Sequence, residues 1–214
     1  MLKLYGFAKV NAGARTHTRD LRVLWALEEM QLPFEIVGMD HPAGDLNTPA
    51  YHRLSPFDQI PAISDDELVV SESAAILIYL AKKSGRLMPT DPAGEAQVTR
   101  WCFAALTTVE LPLMALMVHD WTADGGCAKP REFLVGWVDR VFGNLEGWLA
   151  GREFVATDGF TVADILMAHV LSAGIKDDSL IAPYPGLMAY RDRCMARPAW
   201  KRAFEAYCER VEPA

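Results

Sequence analysis

Hydrophobic positions in the first eighty or so residues change period several times. Leu2–Phe7 (LKLYGF) is a short apolar run of the kind that forms a strand. Leu21–Met30 (LRVLWALEEM) places apolar residues at three- and four-residue steps, which predicts a helix opening near Asp20. Phe34–Met39 (FEIVGM) predicts a second strand. Ile60–Ile63 and Leu68–Val70 flank the polar turn Ser64–Glu67 and together predict a hairpin. A helical pattern, SESAAILIYLAKK, then runs from Ser71. Strand, helix, strand, loop, hairpin, helix is the order of a small α/β domain.

Beyond Lys83 the alternation stops. Ser84–Gly94 (SGRLMPTDPAG) is rich in Gly and Pro and predicts a linker. After it, helical spacing dominates: Phe133, Trp137, Val141, Leu145 and Trp148 form one apolar stripe, which predicts core packing. At Thr161–Asp164 (TVAD) a hydroxyl stands three residues before an acid. That is close to a capping box, with Asp where Glu or Gln is usual, and Phe160 can staple onto Ile165–Leu171. The most apolar stretch, Trp101–Val118, is interrupted by Glu110 and Pro112. It predicts a buried helix pair or one bent helix, not a membrane span. The expected division is an α/β domain at 1–83, a linker at 84–94 and an all-helical domain at 95–214.

Composition narrows the function classes without choosing one. A chain of 214 residues, 51% hydrophobic and 23% charged, is long enough for a core and excludes wholesale disorder. Its formal charge of −7 gives no global attraction to nucleic acid or an anionic membrane, so neither is an expected partner. Lys3, Lys9, Arg15, Arg19 and Asp20 leave no apolar core for an export signal in the first twenty residues. The expectation is a cytoplasmic protein with reduced thiols. Cys102, Cys127, Cys194 and Cys208 form no CxxC pair, and His41, His52, His119 and His169 show no ligand spacing, so no metal site is predicted. The chain lacks GxSxG, GxxxxGK and GxGxxG.

Two local patterns carry chemistry. A proline entering a strand removes a ladder donor, so Ile60–Pro61 is either a trans proline at a strand start or a cis bond at a bend. The second arrangement leaves the Ile60 backbone free to pair with an extended peptide ligand. Ser71–Glu72–Ser73 opens a helix, where unpaired N–H groups and the helix dipole form a carboxylate site. Glu72 can hold an ammonium group while Ser73 holds the neighbouring carboxylate, the pair of partners a zwitterionic α-amino-acid head requires. Plain N-capping by Ser71 or Ser73 is the alternative.

The set LRVLWALEEM, QIPAI followed by SES-AAILIYL, the linker, and FTVADILMAHVL resembles the cytosolic glutathione S-transferases, in order and over nearly the whole chain. The resemblance implies a thioredoxin-like N-terminal domain, an all-helical C-terminal domain, a homodimer and a detoxification role. It implies glutathione as co-substrate and a small apolar electrophile as partner. Ile60 would pair with the cysteinyl part of glutathione, with Pro61 cis. Glu72 and Ser73 would bind the γ-glutamyl head, and Gln59 and Arg53 would reach its ends.

The reactive centre departs from the family pattern. Many bacterial members resemble SR-x-x-R-V-L-W, whereas this chain has TRDLRVLW, so Thr18 takes the hydroxyl position that touches the glutathione sulfur. No cysteine precedes Cys102, which argues against the cysteine-dependent thiol-transfer branches. A free thiol of pKa about 8.5 is roughly 3% thiolate at pH 7. Lowering that value to about 6.5 takes about 2.7 kcal/mol of preference for the thiolate. A hydrogen bond to the charged sulfur contributes roughly 1.5–3 kcal/mol and a helix N-terminus about 0.3–1. Thr18, at the start of the Asp20–Met30 helix, can supply both or serve as a simple N-cap. The enlarged loop Ala8–His17 brings Asn11, which could replace Thr18 as the sulfur's donor, and His17, which could steer an anionic electrophile, toward that position; a solvated glycine-containing loop is the alternative. Leu113, Met117, His119, Trp121 and the loop TADGGCAKP are the expected electrophile pocket, and Arg100–Trp101 the expected subunit contact. The reading is a glutathione transferase; a non-catalytic binding or assembly module of the same fold, or a glutathione-dependent isomerase, stays open.

Overall fold

The computed structural model describes residues 1–122, 128–173 and 178–212. In chain order the elements are β1 (Lys3–Phe7), α1 (Asp20–Met30), β2 (Glu35–Met39), α2 (Pro49–His52), β3 (Ala62–Asp65), β4 (Leu68–Ser71) and α3 (Ser73–Ser84). Helices α4 (Pro92–Phe103), α5 (Glu110–Thr122), α6 (Ala128–Leu149), α7 (Val162–Ala173), α8 (Pro185–Met195) and α9 (Pro198–Cys208) follow. They form two compact units: Met1–Met88 together with the segment from Ala196 onward, and Pro89–Met195. The α9 segment, read in sequence with the helical region, thus completes the first unit.

The first unit is the thioredoxin-like one. Its sheet has the order β2-β1-β3-β4, with β1 and β2 parallel and the other pairs antiparallel. Leu4 on β1, Ile63 on β3 and Ile76, Leu77 and Leu80 of α3 are all fully buried, and α3 packs on β3 and β4. The three- and four-residue apolar pattern of α1 predicts one buried face, yet nine of its eleven residues are buried. The reason is that α1 packs against α3 and also against α9. Trp200 meets Trp25 edge-on at 4.8 Å, and Arg197 grips Glu29 through two bonds of 2.6 and 2.9 Å. A bidentate guanidinium–carboxylate pair of this kind fixes orientation as well as charge.

The regular elements of the second unit are all helices among its described residues. Its centre is α7, whose Ile165, Leu166, Met167 and Leu171 are fully buried. Asp164 accepts from the Thr161 N–H at 2.8 Å, as a capping box requires. The Thr161 hydroxyl also donates to Asp164 at 3.0 Å, and Val155 N–H and Tyr190 Oη donate at 2.8 Å each. Burial still lifts the Asp164 carboxyl above its ordinary range. Of the two readings of Trp101–Val118, the single helix is the one found. Pro92–Thr122 is continuous, with a π-helical segment at Ala104–Val109 joining α4 to α5. Pro112 offers no N–H to the carbonyl four residues back and its ring crowds that oxygen, so the helix widens just before it. This helix is long and apolar enough to cross a membrane by length and composition, but α4 packs on α7 and α5 on α6 inside the unit. The apolar stripe of α6 is buried at Val141 and Leu145, whereas Phe133 is 69% exposed. The packing expectation therefore fails at the N-terminal end of that stripe.

Candidate functional site

Strand directions gather the candidate residues at one end of the sheet. Because β1 runs parallel to β2 and antiparallel to β3, the end of β1 lies with the end of β2 and the start of β3. Ala62 pairs with both Tyr5 and Ser71, so Pro61 and Glu72 flank the same rung. The loop carrying Asn11 and Thr18, the turn after Met39, the Gln59–Pro61 corner and the start of α3 thus share one edge.

The Ile60–Pro61 bond is cis. Strand β3 begins only at Ala62, and the Ile60 backbone has no backbone partner among the described residues. The corner is held from behind: Ser55 Oγ accepts from Gln59 N–H at 3.0 Å, and the buried Tyr51 Oη donates to the Gln59 carbonyl at 3.0 Å. Burial pushes the Tyr51 phenol up to about 12. The Gln59 and Arg53 side chains are both exposed.

Ser71 ends β4 and does not open α3. The N-cap is Glu72, with φ of 68° and no side-chain capping bond, so neither serine caps the helix through its side chain. A non-glycine residue in that region costs about 1–3 kcal/mol and persists where surrounding structure imposes it. The start of α3 thus has no side-chain cap from its N-cap residue, and Glu72 beside it is exposed. Ser73 is buried, and its Oγ accepts from Arg22 Nη1 at 3.3 Å. Arg22, itself 1% exposed, is an α1 residue.

Asn11, Thr18 and His41 line one cleft of about 300 Å³, together with Phe7, Lys9 and Glu212. The enlarged loop is ordered by the C-terminal segment. Val10 N–H donates to the Arg210 carbonyl at 2.8 Å, and Glu212 N–H donates to the Val10 carbonyl at 2.8 Å. Asn11 Oδ1 accepts from Gly13 N–H at 2.8 Å and starts a short 3₁₀ turn at Ala12–Ala14. That bond turns the amide so that its NH₂ is uncommitted. Thr18 is not the N-cap of α1; Arg19 holds that position, with no side-chain capping bond. The Thr18 hydroxyl instead donates to Tyr207 Oη at 2.8 Å.

Beneath Thr18 lies a buried ion pair. Asp20, 0% exposed at the first position of α1, accepts from Phe7 N–H at 3.3 Å and from Arg210 Nη1 at 3.2 Å. Arg210 also donates to the Phe7 carbonyl at 2.8 Å. Gly6 is required here, since a Cβ would stand 2.9 Å from Asp20 Oδ2. His17 is half-buried, outside the cleft lining, with no partner on Nδ1. In the second unit, Leu113 is 1% exposed in the core, Met117 and His119 are half-buried and Trp121 is 82% exposed. The expected loop contribution at 123–127 lies outside the described residues.

Sequence reasoning missed His41, Arg22, Tyr207 and Arg210. His41 follows the second strand directly, so its place at the sheet edge was available from the parallel pairing once β1 and β2 were read. The other three act through contacts with no local pattern.

Residues 21–83 match the family model of the glutathione S-transferase N-terminal domain, and residues 131–198 that of the C-terminal domain. The chain is 31% identical over 200 residues to a glutathione S-transferase of Hyoscyamus muticus, covering 86% of this chain and 92% of that one. It is similar to the structure of a glutathione transferase family member from Pseudomonas fluorescens with two glutathione bound. That match has a TM-score of 0.83 and 28% identity over 95% of this chain and 92% of that one. A glutathione transferase from Burkholderia graminis, with two glutathione molecules per subunit, matches with a TM-score of 0.83 and 29% identity. It covers 96% of this chain and 88% of that one.

Proposed function

The chain belongs to the glutathione S-transferase family, and from that premise we propose that it binds glutathione and directs its thiolate at a small apolar electrophile. The observation that carries the reading is the convergence at one sheet edge of three complementary devices: the unpaired Ile60 backbone, the open start of α3, and the Asn11–Thr18 cleft. An extended peptide pairs with the first. Its α-carboxylate takes the Ser73 hydroxyl and the α3 N–H groups, and its ammonium takes Glu72. Gln59 and Arg53 hold the ends of the ligand. The relatives crystallised with glutathione support this choice of ligand.

Catalysis is nucleophile activation and positioning. The Asn11 NH₂ and the Thr18 hydroxyl donate to sulfur, which favours thiolate over thiol. The thiol proton leaves to solvent, the sulfur lone pair forms the new C–S bond, and the displaced group departs with its bonding electrons. Met117 and Trp121 of the helical unit are the residues we assign to the electrophile, whereas Leu113, 1% exposed in the core, is too deeply buried for that role. A soluble cytoplasmic homodimer completes the reading.

Titration of the bound glutathione thiol by ultraviolet absorbance tests it. Thr18→Ala and Asn11→Ala should each raise the bound thiol pKa, by about one unit for loss of a charged hydrogen bond. If both leave it unchanged, the reactive centre is wrong. Retention on immobilised glutathione without turnover of several electrophile classes would instead support a binding module.

A further inference from the structure

The hydroxyl of Thr18 is backed by a second hydroxyl. Tyr207 Oη lies 2.8 Å away on α9, and the residue is 0% exposed. Its bond to the Ala14 carbonyl is 3.5 Å, at the limit of a hydrogen bond, so the phenolic proton is weakly committed. The groups facing it are the Asp20 carboxylate, the Arg210 guanidinium, whose carbon lies 5.4 Å from the ring centroid, and the Thr16 backbone. Each hydroxyl owns one proton and can rotate to donate or accept.

We propose that Tyr207 is a positioning residue for thiol activation: with thiolate in the site, Tyr207 donates to Thr18 Oγ1 and Thr18 turns its own proton onto the sulfur. No covalent bond changes: the Thr18–Tyr207 hydrogen bond reverses, the long Tyr207–Ala14 bond is given up, and a bond from Thr18 to sulfur forms. An oxygen that accepts a hydrogen bond becomes a stronger donor, by about 10–30% per bond in chains of this kind. Burial pushes the phenol up to about 12, so Tyr207 keeps its proton at neutral pH and remains a donor. The inference rests on the reading that Thr18 touches sulfur.

A double-mutant cycle on the full chain decides it, with the bound glutathione thiol pKa as readout. Tyr207→Phe should raise that pKa by about half a unit, and shift the pH profile of kcat/KM equally, with KM for glutathione within about twofold. In a Thr18→Ala background the same substitution should add nothing. Replacing Tyr207 with 3-fluorotyrosine, a stronger donor of nearly the same shape, should lower the thiol pKa, which a packing role cannot do. An equal shift from Tyr207→Phe in both backgrounds overturns the proposal, as does no response to 3-fluorotyrosine. If Thr18→Ala raises the thiol pKa while Tyr207→Phe does not, Tyr207 is excluded and the sulfur contact stands. If Thr18→Ala changes nothing, the sulfur contact fails and this inference with it.

Discussion

Ser73 and Thr18 share a construction principle. Arg22 donates to Ser73 Oγ from a buried position, which leaves the serine's own proton available to another acceptor. Removing that proton should be felt in binding and scarcely in chemistry. We expect Ser73→Ala to raise KM for glutathione about tenfold or more, as for a hydrogen bond to a charged group, with kcat little changed. Steady-state kinetics with varied glutathione measures this split. The serine, Glu72 and Pro61 were legible in the sequence because a helix start and a strand-entry proline are local signals. Arg22 was not: within LRVLWALEEM an arginine reads as a solvated position, and only the three-dimensional packing of α1 under α3 buries it. Capping of α3 by Ser71 or Ser73 failed for a related reason, since the cap is Glu72 with a strained backbone that no residue preference announces.

Elements whose period is long and uninterrupted were read almost to the residue, α1 at Asp20–Met30 being the clearest. The four-residue α2 was not, since it is too short to show a period. The π-helical segment was signalled by Pro112, but a proline marks a disturbance without choosing between a break and a widened turn. Between elements, one electrostatic tie in the first unit joins β3 to α3. Asp65 lies 2.5 Å from both Lys83 Nζ and Tyr79 Oη, and these partners hold its carboxyl below the usual carboxylate range. A depressed folded pKa contributes stability above the unfolded value of about 3.9 and loses it as pH falls through the folded value. The thermal midpoint should therefore fall as acidity increases below about pH 4, and Asp65→Asn should flatten that limb. Calorimetric scans across the acid range give the comparison.

At the scale of the molecule, the first unit is built from two separated stretches of chain. Its closing piece contributes Trp200 to α1 packing and Arg197 to Glu29. Trp200→Ala should cost about 3–5 kcal/mol, the usual range for a large core truncation, measurable as a lower urea midpoint. The net charge of −7 supplies no general positive field, so on the proposed reading an anionic ligand is attracted locally, by the start of α3 and by arginines. Reading the sequence as two consecutive domains missed this return because composition changes once, near the linker, and not again at Ala196. The return has a consequence for biosynthesis. Thr18 leaves the ribosome early, but its hydroxyl partner is 189 positions later. Segments made first fold first where they can, yet the cleft around Asn11 and Thr18 needs Tyr207, Arg210 and Glu212 to take its shape. A nascent or prematurely terminated chain therefore carries an incomplete Asn11–Thr18 cleft, and on the proposed reading thiol reactivity appears only once translation has passed Glu212.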